Sequence, residues 1–266
     1  MTVLFIHGYP FDHTMWRHQL AALSGWRCIA PDLRGFGESP GGEPDEASQY
    51  SIAMYANDLM AQLDRLGIRE AAVCGLSMGG YIAFELLRSH PTRVTAAILC
   101  NTKASPDTQE GKADRDAMAA LARQRGATAI AEKLLPKLLS PVTVKGQPQV
   151  VEEVRAMITR TSVNGIVGAL HALRERPDST PLLKRIGVPV LLVAGEDDQI
   201  TPAPLMRELA NAIPGAEFVT ITEAGHCTPL EQPRAVNCHS RLVRERGDQD
   251  QIALLKDAGM GAVVHI

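Results

Sequence analysis

A serine framed by glycines, Gly75-Leu76-Ser77-Met78-Gly79, is the stretch of this 266-residue chain best suited to covalent chemistry. A serine hydroxyl is a weak nucleophile until a base takes its proton and a carboxylate orients that base. Residues of both kinds lie downstream: the acidic pair Asp197-Asp198 after Gly195, and His226 after Gly225. The backbone N–H of Met78 would stand at a helix N-terminus, where unpaired N–H groups and the helix dipole can meet a developing oxyanion. Such a set could carry out acyl transfer through a covalent intermediate on Ser77.

The elements around these residues are those the chemistry requires. Glu70-Ala71-Ala72-Val73-Cys74 is short and mostly apolar, as a buried parallel strand is, and Met78, Ile82 and Leu86 then recur every four residues, a helix period. A serine on the tight turn between them needs glycines two before and two after, because backbone comes against backbone there. Other strands are predicted at 3–6, 27–30, 94–100, 188–194 and 216–221. Helices are predicted from Thr14, as cap, to about Leu23, over 51–66 closed by Gly67, and over 202–213. Strands alternating with helices imply an α/β class with a parallel sheet and helices on both faces. Ligands gather at the carboxyl ends of such strands. The His7-Gly8-Tyr9 turn, Ser77, the acidic pair and His226 all fall there, and either Asp197 or Asp198 could serve as the carboxylate.

Composition excludes several classes. Hydrophobic residues make 45%, charged residues 21%, and the net charge is −3, with no basic block to engage nucleic acid or an anionic membrane. Five cysteines without C-x-x-C spacing argue against a disulfide framework or a zinc site, and fit a reducing cytoplasm. No metal ligand cluster or cofactor motif is read, so a chelator should have no effect. The apolar run at the N-terminus is cut short at His7, too short for a signal peptide or membrane span.

Five motifs in order resemble an α/β-hydrolase of the esterase, 3-oxoadipate enol-lactonase and cofactor-free perhydrolase group. They are His7-Gly8; Pro31-Asp32-Leu33-Arg34-Gly35-Phe36-Gly37-Glu38-Ser39; Gly75-Leu76-Ser77-Met78-Gly79-Gly80; Gly195-Glu196-Asp197-Asp198 with Pro202; and Gly225-His226 with Glu231-Gln232-Pro233. The order Ser, Asp, His is that of this fold. The resemblance implies Ser77 as nucleophile, His226 as base, Asp198 rather than Asp197 as acid, and the backbone N–H groups of Tyr9 and Met78 as the oxyanion hole. Activity should rise with pH as His226 becomes neutral. It also implies a carboxylic ester hydrolase acting on a small-molecule ester or lactone. A carbon–carbon bond hydrolase or perhydrolase with the same triad, and a non-enzymatic ligand receptor on this fold, are the alternatives. A haloalkane dehalogenase is disfavoured, since it would need Asp where Ser77 stands. His7 reads as a structural hydrogen-bonder, His90 as a helix cap, Asp32 as the organiser of its own loop, and Cys227 as a small buried filler.

The implied organisation is a core of residues 1–103 and 181–237, a helical cap over 104–180, and an atypical C-terminal extension over 238–266. Helices are predicted in the cap at 114–125, 128–139, 149–160 and 163–174. The cap contains no aromatic residue. Its aliphatic residues between Leu134 and Leu170, among them Leu135, Leu138, Ile158 and Val167, should wall a dry pocket for short acyl chains or small lactones. Lys133 and Lys137 are read as a solvated face in preference to partners of a substrate carboxylate. Relatives carry an antiparallel strand pair ahead of the first strand seen here. An edge uncovered for want of it would invite self-association into a homo-oligomer.

Overall fold

The computed structural model describes residues 2–23, 25–39, 41 and 44–240. Among these residues six parallel strands form one sheet: β1 (Thr2–Ile6), β2 (Arg27–Ile29), β3 (Ala71–Leu76), β4 (Val94–Cys100), β5 (Val190–Gly195) and β6 (Glu217–Ile221), in the order β2-β1-β3-β4-β5-β6. The apolar runs of β1, β3, β4 and β5 are buried almost throughout, whereas the edge strands β2 and β6 are only partly covered. Continuous apolar strands inside and more polar ones at the rim are what a sheet covered by helices demands.

Among the described residues ten helices connect and cover the strands: α1 (Arg17–Ala22), α2 (Ile52–Arg65), α3 (Met78–Ser89), α4 (Gln109–Leu138), α5 (Pro141–Gly146), α6 (Pro148–Arg160), α7 (Val163–Arg174), α8 (Ala203–Asn211), α9 (Thr228–Glu231) and α10 (Pro233–Ser240). In one group α2 packs on α3 and α3 on β3; in another α1 packs on α9 and α10. Ser51 caps α2 by accepting from Met54 N at 3.0 Å, and Gly67, at φ +67°, ends it. The predicted cap of the first helix is corrected by two residues. Asp12, not Thr14, accepts the free N–H, and it begins a 3-10 turn (His13–Trp16) ahead of α1. The Thr14 hydroxyl instead donates to Asp12 at 2.5 Å.

Between β4 and β5 the chain is helical close to the predicted segments, the two halves of α4 covering 114–125 and 128–138 and α6 and α7 falling on 149–160 and 163–174, with two differences. Thr108 caps α4 through Gly111 N, so the helix starts earlier than expected, and Gly126, at φ +72°, breaks it in the middle. Ser140 caps the short α5, which hydrophobic period alone had not revealed. α4 packs on α6 and α7, and α5 on α6. Arg160 of α6 ties this group to the sheet's loops, donating to Asp12 Oδ2 at 2.5 Å and to Thr14 Oγ1 at 2.7 Å. Cys238 lies on α10; the rest of the C-terminal stretch, 241–266, is outside the described residues.

Candidate active site

Strand register assembles the site. Ile6 pairs with Gly75, Leu76 with Cys100, Cys100 with Val193, and Gly195 with Ile221. The turns leaving β1, β3, β4, β5 and β6 therefore lie side by side at one edge of the core. At the first turn, Phe11 N donates to Gly8 O at 2.9 Å. His7 is wholly buried there, its Nε2 accepting from Leu33 N at 3.0 Å and its Nδ1 facing Gly8 O at 3.0 Å. Both ring nitrogens are engaged, as a structural histidine's are.

Ser77 sits at the β3–α3 turn with φ +51° and ψ −108°, a left-handed conformation a non-glycine residue rarely adopts. The strain is held from both sides: Ser77 N donates to Cys100 O at 2.9 Å, and Thr102 Oγ1 donates to Ser77 O at 2.9 Å. Side chains at Gly75 or Gly79 would collide with the backbone of Gly79 and of Ile6 respectively, which explains the two glycines. Among the described residues no hydrogen bond engages the N–H of Met78 or of Tyr9.

The acidic pair divides clearly. Asp198 is buried, and its Oδ2 accepts from His226 Nδ1 at 2.8 Å, Thr201 Oγ1 at 2.6 Å and Asn101 Nδ2 at 2.8 Å. Its Oδ1 accepts from Ile200 N at 2.8 Å and Thr201 N at 3.1 Å. Burial alone would push this carboxyl up, but His226, Thr201 and Asn101 outweigh it and hold the group well below the usual carboxylate range. Asp197 is half-buried and is held by its backbone, N donating to Ala224 O at 2.9 Å. Since a carboxylate only accepts, His226 Nδ1 carries the proton in the neutral ring, leaving Nε2 as the basic nitrogen.

The loop of His226 is anchored by a buried carboxylate. Glu231 Oε1 accepts from Gly225 N at 2.9 Å and Oε2 from Ser140 N at 2.7 Å. Burial pushes the Glu231 carboxyl up in spite of these donors. Cys227 is fully buried, its N donating to Leu138 O at 3.1 Å, and burial pushes its thiol up.

Ser77, His226 and Tyr9 open on a common cavity of about 410 Å³. Ser77 and His226 share it without a direct hydrogen bond among the described residues. Its walls differ from expectation. Of the aliphatic residues anticipated, Leu134, Leu138 and Leu170 line it, while Leu135, Ile158 and Val167 are buried in packing between helices. Lys133 and Lys137 line it too, with Lys103, Arg115, Asp107 and Asp114, so the dry pocket expected is in fact a charged one. The core supplies two rings, Tyr9 and Tyr81, that the helices between β4 and β5 lack.

The other singled-out residues lie elsewhere. His90 ends α3, N donating to Leu86 O at 2.8 Å, and Asp32 orders its loop by accepting from His13 N at 2.8 Å and Glu38 N at 2.9 Å. Among the described residues, the side chains of Asp12, His13 and Asp32 converge closely enough to hold a cation. They do not line the cavity, and Arg160, Thr14 and the His13–Asp32 contact already engage them.

Residues 2–233 match the family model described as the alpha/beta hydrolase fold. The chain belongs to the α/β-hydrolase family. Within it, the chain is 31% identical over 246 residues to 3-oxoadipate enol-lactonase 2 of Acinetobacter baylyi, covering 92% of this chain and 88% of that one. A thermophilic esterase from Thermogutta terrifontis superposes with TM-score 0.88 at 38% identity, over 93% of this chain and 90% of the other. The enol-lactonase of Burkholderia xenovorans LB400 superposes with TM-score 0.83 at 30% identity, over 91% and 90%. For an α/β-hydrolase the sequence reading missed Asn101, Thr201 and Tyr81. Asn101 did leave a signal: a polar residue closing an apolar strand, where asparagine tolerates the observed φ of +46°.

Proposed function

We propose that this α/β-hydrolase is a carboxylic ester hydrolase that cleaves small esters or lactones through an acyl-enzyme on Ser77. His226 Nε2 takes the Ser77 proton as Oγ attacks the carbonyl carbon. Asp198 keeps the proton on Nδ1 and stabilises the imidazolium that forms. The N–H groups of Tyr9 and Met78 receive the oxyanion. Collapse breaks the C–O bond and His226 returns the proton to the leaving alcohol. Water, deprotonated by His226, then frees the acid and restores Ser77. Residues 104–180 act as the cap over this site. The cavity volume of about 410 Å³ stands toward the small end of ligand pockets, in keeping with short acyl groups.

The observation that carries this reading is the 2.8 Å His226–Asp198 hydrogen bond at the cavity into which the strained Ser77 opens. The test is labelling by a fluorophosphonate, with the modified peptide mapped by mass, beside turnover of p-nitrophenyl acetate and butyrate. Ser77→Ala should lose the label and turnover, by about 10⁶ in kcat on the scale of other serine hydrolases. Label retained at the site in that variant would refute the assignment.

A further inference from the structure

The turn at Ser77 explains Gly75 and Gly79; Thr102 explains Gly80. A side chain at Gly80 would bring its Cβ to 2.5 Å from Thr102 Oγ1 and 2.6 Å from Thr102 Cβ. Thr102 is wholly buried in the space so left, two residues past the end of β4, and its N donates to Met206 Sδ of α8 at 3.2 Å. With α8 holding the backbone and α3 crowding the side chain, the direction of the hydroxyl is fixed. It donates to Ser77 O at 2.9 Å. Gly80 N at 2.9 Å and Tyr81 N at 3.2 Å reach the same oxygen as part of the first turn of α3. Thr102 therefore adds a third donor to a carbonyl that the helix already satisfies.

Ser77 O and the N–H of Met78 belong to one peptide unit. That unit is planar, so a donor that fixes its oxygen also fixes the direction of its N–H. It is polarisable as well. A hydrogen bond accepted at the oxygen draws electron density from the nitrogen and makes the N–H a stronger donor. The Met78 N–H itself stands at the N-terminus of α3 and makes no hydrogen bond among the described residues. Thr102 does not line the cavity, so whatever it does for the site it does through this peptide.

We infer that Thr102 is a positioning residue for the oxyanion hole: through the Ser77–Met78 peptide it aims and strengthens the N–H that meets the developing oxyanion. This rests on the ester-hydrolase reading of Ser77. The contribution grows as the substrate's carbonyl oxygen gains negative charge, so it acts on the transition state and leaves ground-state binding alone. Formation and breakdown of the acyl-enzyme both pass through such an oxyanion, and both are slowed alike when the N–H weakens. A hydroxyl that merely pinned the turn would act through the placement of Ser77 Oγ instead, with no change in the electronics of the peptide.

Thr102→Val keeps the shape of the side chain and removes the hydroxyl, while Ser77 O retains its two helical donors, so the fold is kept. Thr102→Ser restores the hydroxyl. On p-nitrophenyl acetate, kcat should fall about tenfold in the valine variant, less than the loss of a whole oxyanion donor costs, and recover in the serine variant. KM should stay within about twofold throughout. A second readout needs no turnover. The sequence holds a single Ser-Met pair, Ser77-Met78. Protein labelled with ¹³C at the serine carbonyl and ¹⁵N in methionine therefore gives one carbonyl–amide NMR cross-peak for this peptide. Its amide proton should move upfield in Thr102→Val and return in Thr102→Ser. A valine variant with wild-type kcat, a loss that serine does not restore, or an unmoved cross-peak overturns the proposal. If the wild type turns over no ester and Ser77 takes no label, it is the hydrolase reading that fails, and the cross-peak still decides whether Thr102 polarises the Met78 N–H.

Discussion

Asn101 Nδ2 lies 2.8 Å from Asp198 Oδ2 and 3.4 Å from Gly225 O, so a single amide at the end of β4 joins the carboxylate to the loop of His226. Its backbone, at φ +46°, is one that asparagine and glycine accept and alanine resists. Asn101→Gly should therefore remove only the hydrogen bonds, lowering kcat/KM by about tenfold, the weight of a bond to a charged group. Asn101→Ala should lose as much activity and, in addition, melt earlier. Equal activity in the glycine variant and wild type, measured on p-nitrophenyl acetate, would show that the amide is idle.

The two neighbouring aspartates should behave very differently. Asp198→Asn puts an amide against His226 Nδ1 and favours the wrong tautomer, a loss of about 10⁴ in kcat where a serine triad has been altered this way. Among the described residues Asp197 makes only a backbone hydrogen bond, so Asp197→Asn should stay within a few-fold of wild type. Steady-state kinetics on the purified pair decides it. A more severe loss at Asp197 would contradict the geometry.

Glu231→Gln keeps the shape of the side chain but offers an N–H₂ where an oxygen accepted. One of the two N–H donors, Gly225 N or Ser140 N, then faces another donor inside the protein. The cost of a buried donor left unmet is about 1–3 kcal/mol, and urea denaturation should show a midpoint lowered to match. Activity per folded molecule should fall as well, since Gly225 precedes His226 in the chain. An unchanged urea midpoint would mean the loop is held by other contacts.

Acid should weaken the cluster at Asp107. Burial raises this carboxyl, but Arg176 and Arg115 outweigh it and bring it from the ordinary 3.8 to about 2. A folded-state value below the unfolded one stabilises the native state above the unfolded value, and that contribution disappears as pH falls through the folded one. Stability should thus decline between about pH 4 and pH 2 more steeply in wild type than in Asp107→Asn. That variant should be destabilised at neutral pH, by about 3–5 kcal/mol, since Arg176 is left buried without its partner. Urea midpoints across pH 2 to 6 give both numbers, and parallel pH profiles would remove Asp107 from the account.

What was legible in the sequence is what local chemistry determines. The strand, turn and helix around Ser77 are contiguous, so glycine spacing and apolar period sufficed to find them. The role of Asn101 was hidden because it depends on β4 lying between β3 and β5, a fact of sheet order rather than of neighbours in the chain. Lys133 and Lys137 misled for a related reason. A lysine at the rim of a cavity and one on an open helix face have the same sequence pattern, and only the placement of α4 over Ser77 separates them. Asp12 displaced Thr14 as cap because a 3-10 turn precedes α1, adding residues that a period of 3.6 does not count.

The carboxylate of Glu231 grips Ser140 at the start of α5 with one oxygen and Gly225 beside His226 with the other. One side chain thus ties the first turn of α5 to the residue before His226, so that a displacement of either segment is felt by the other.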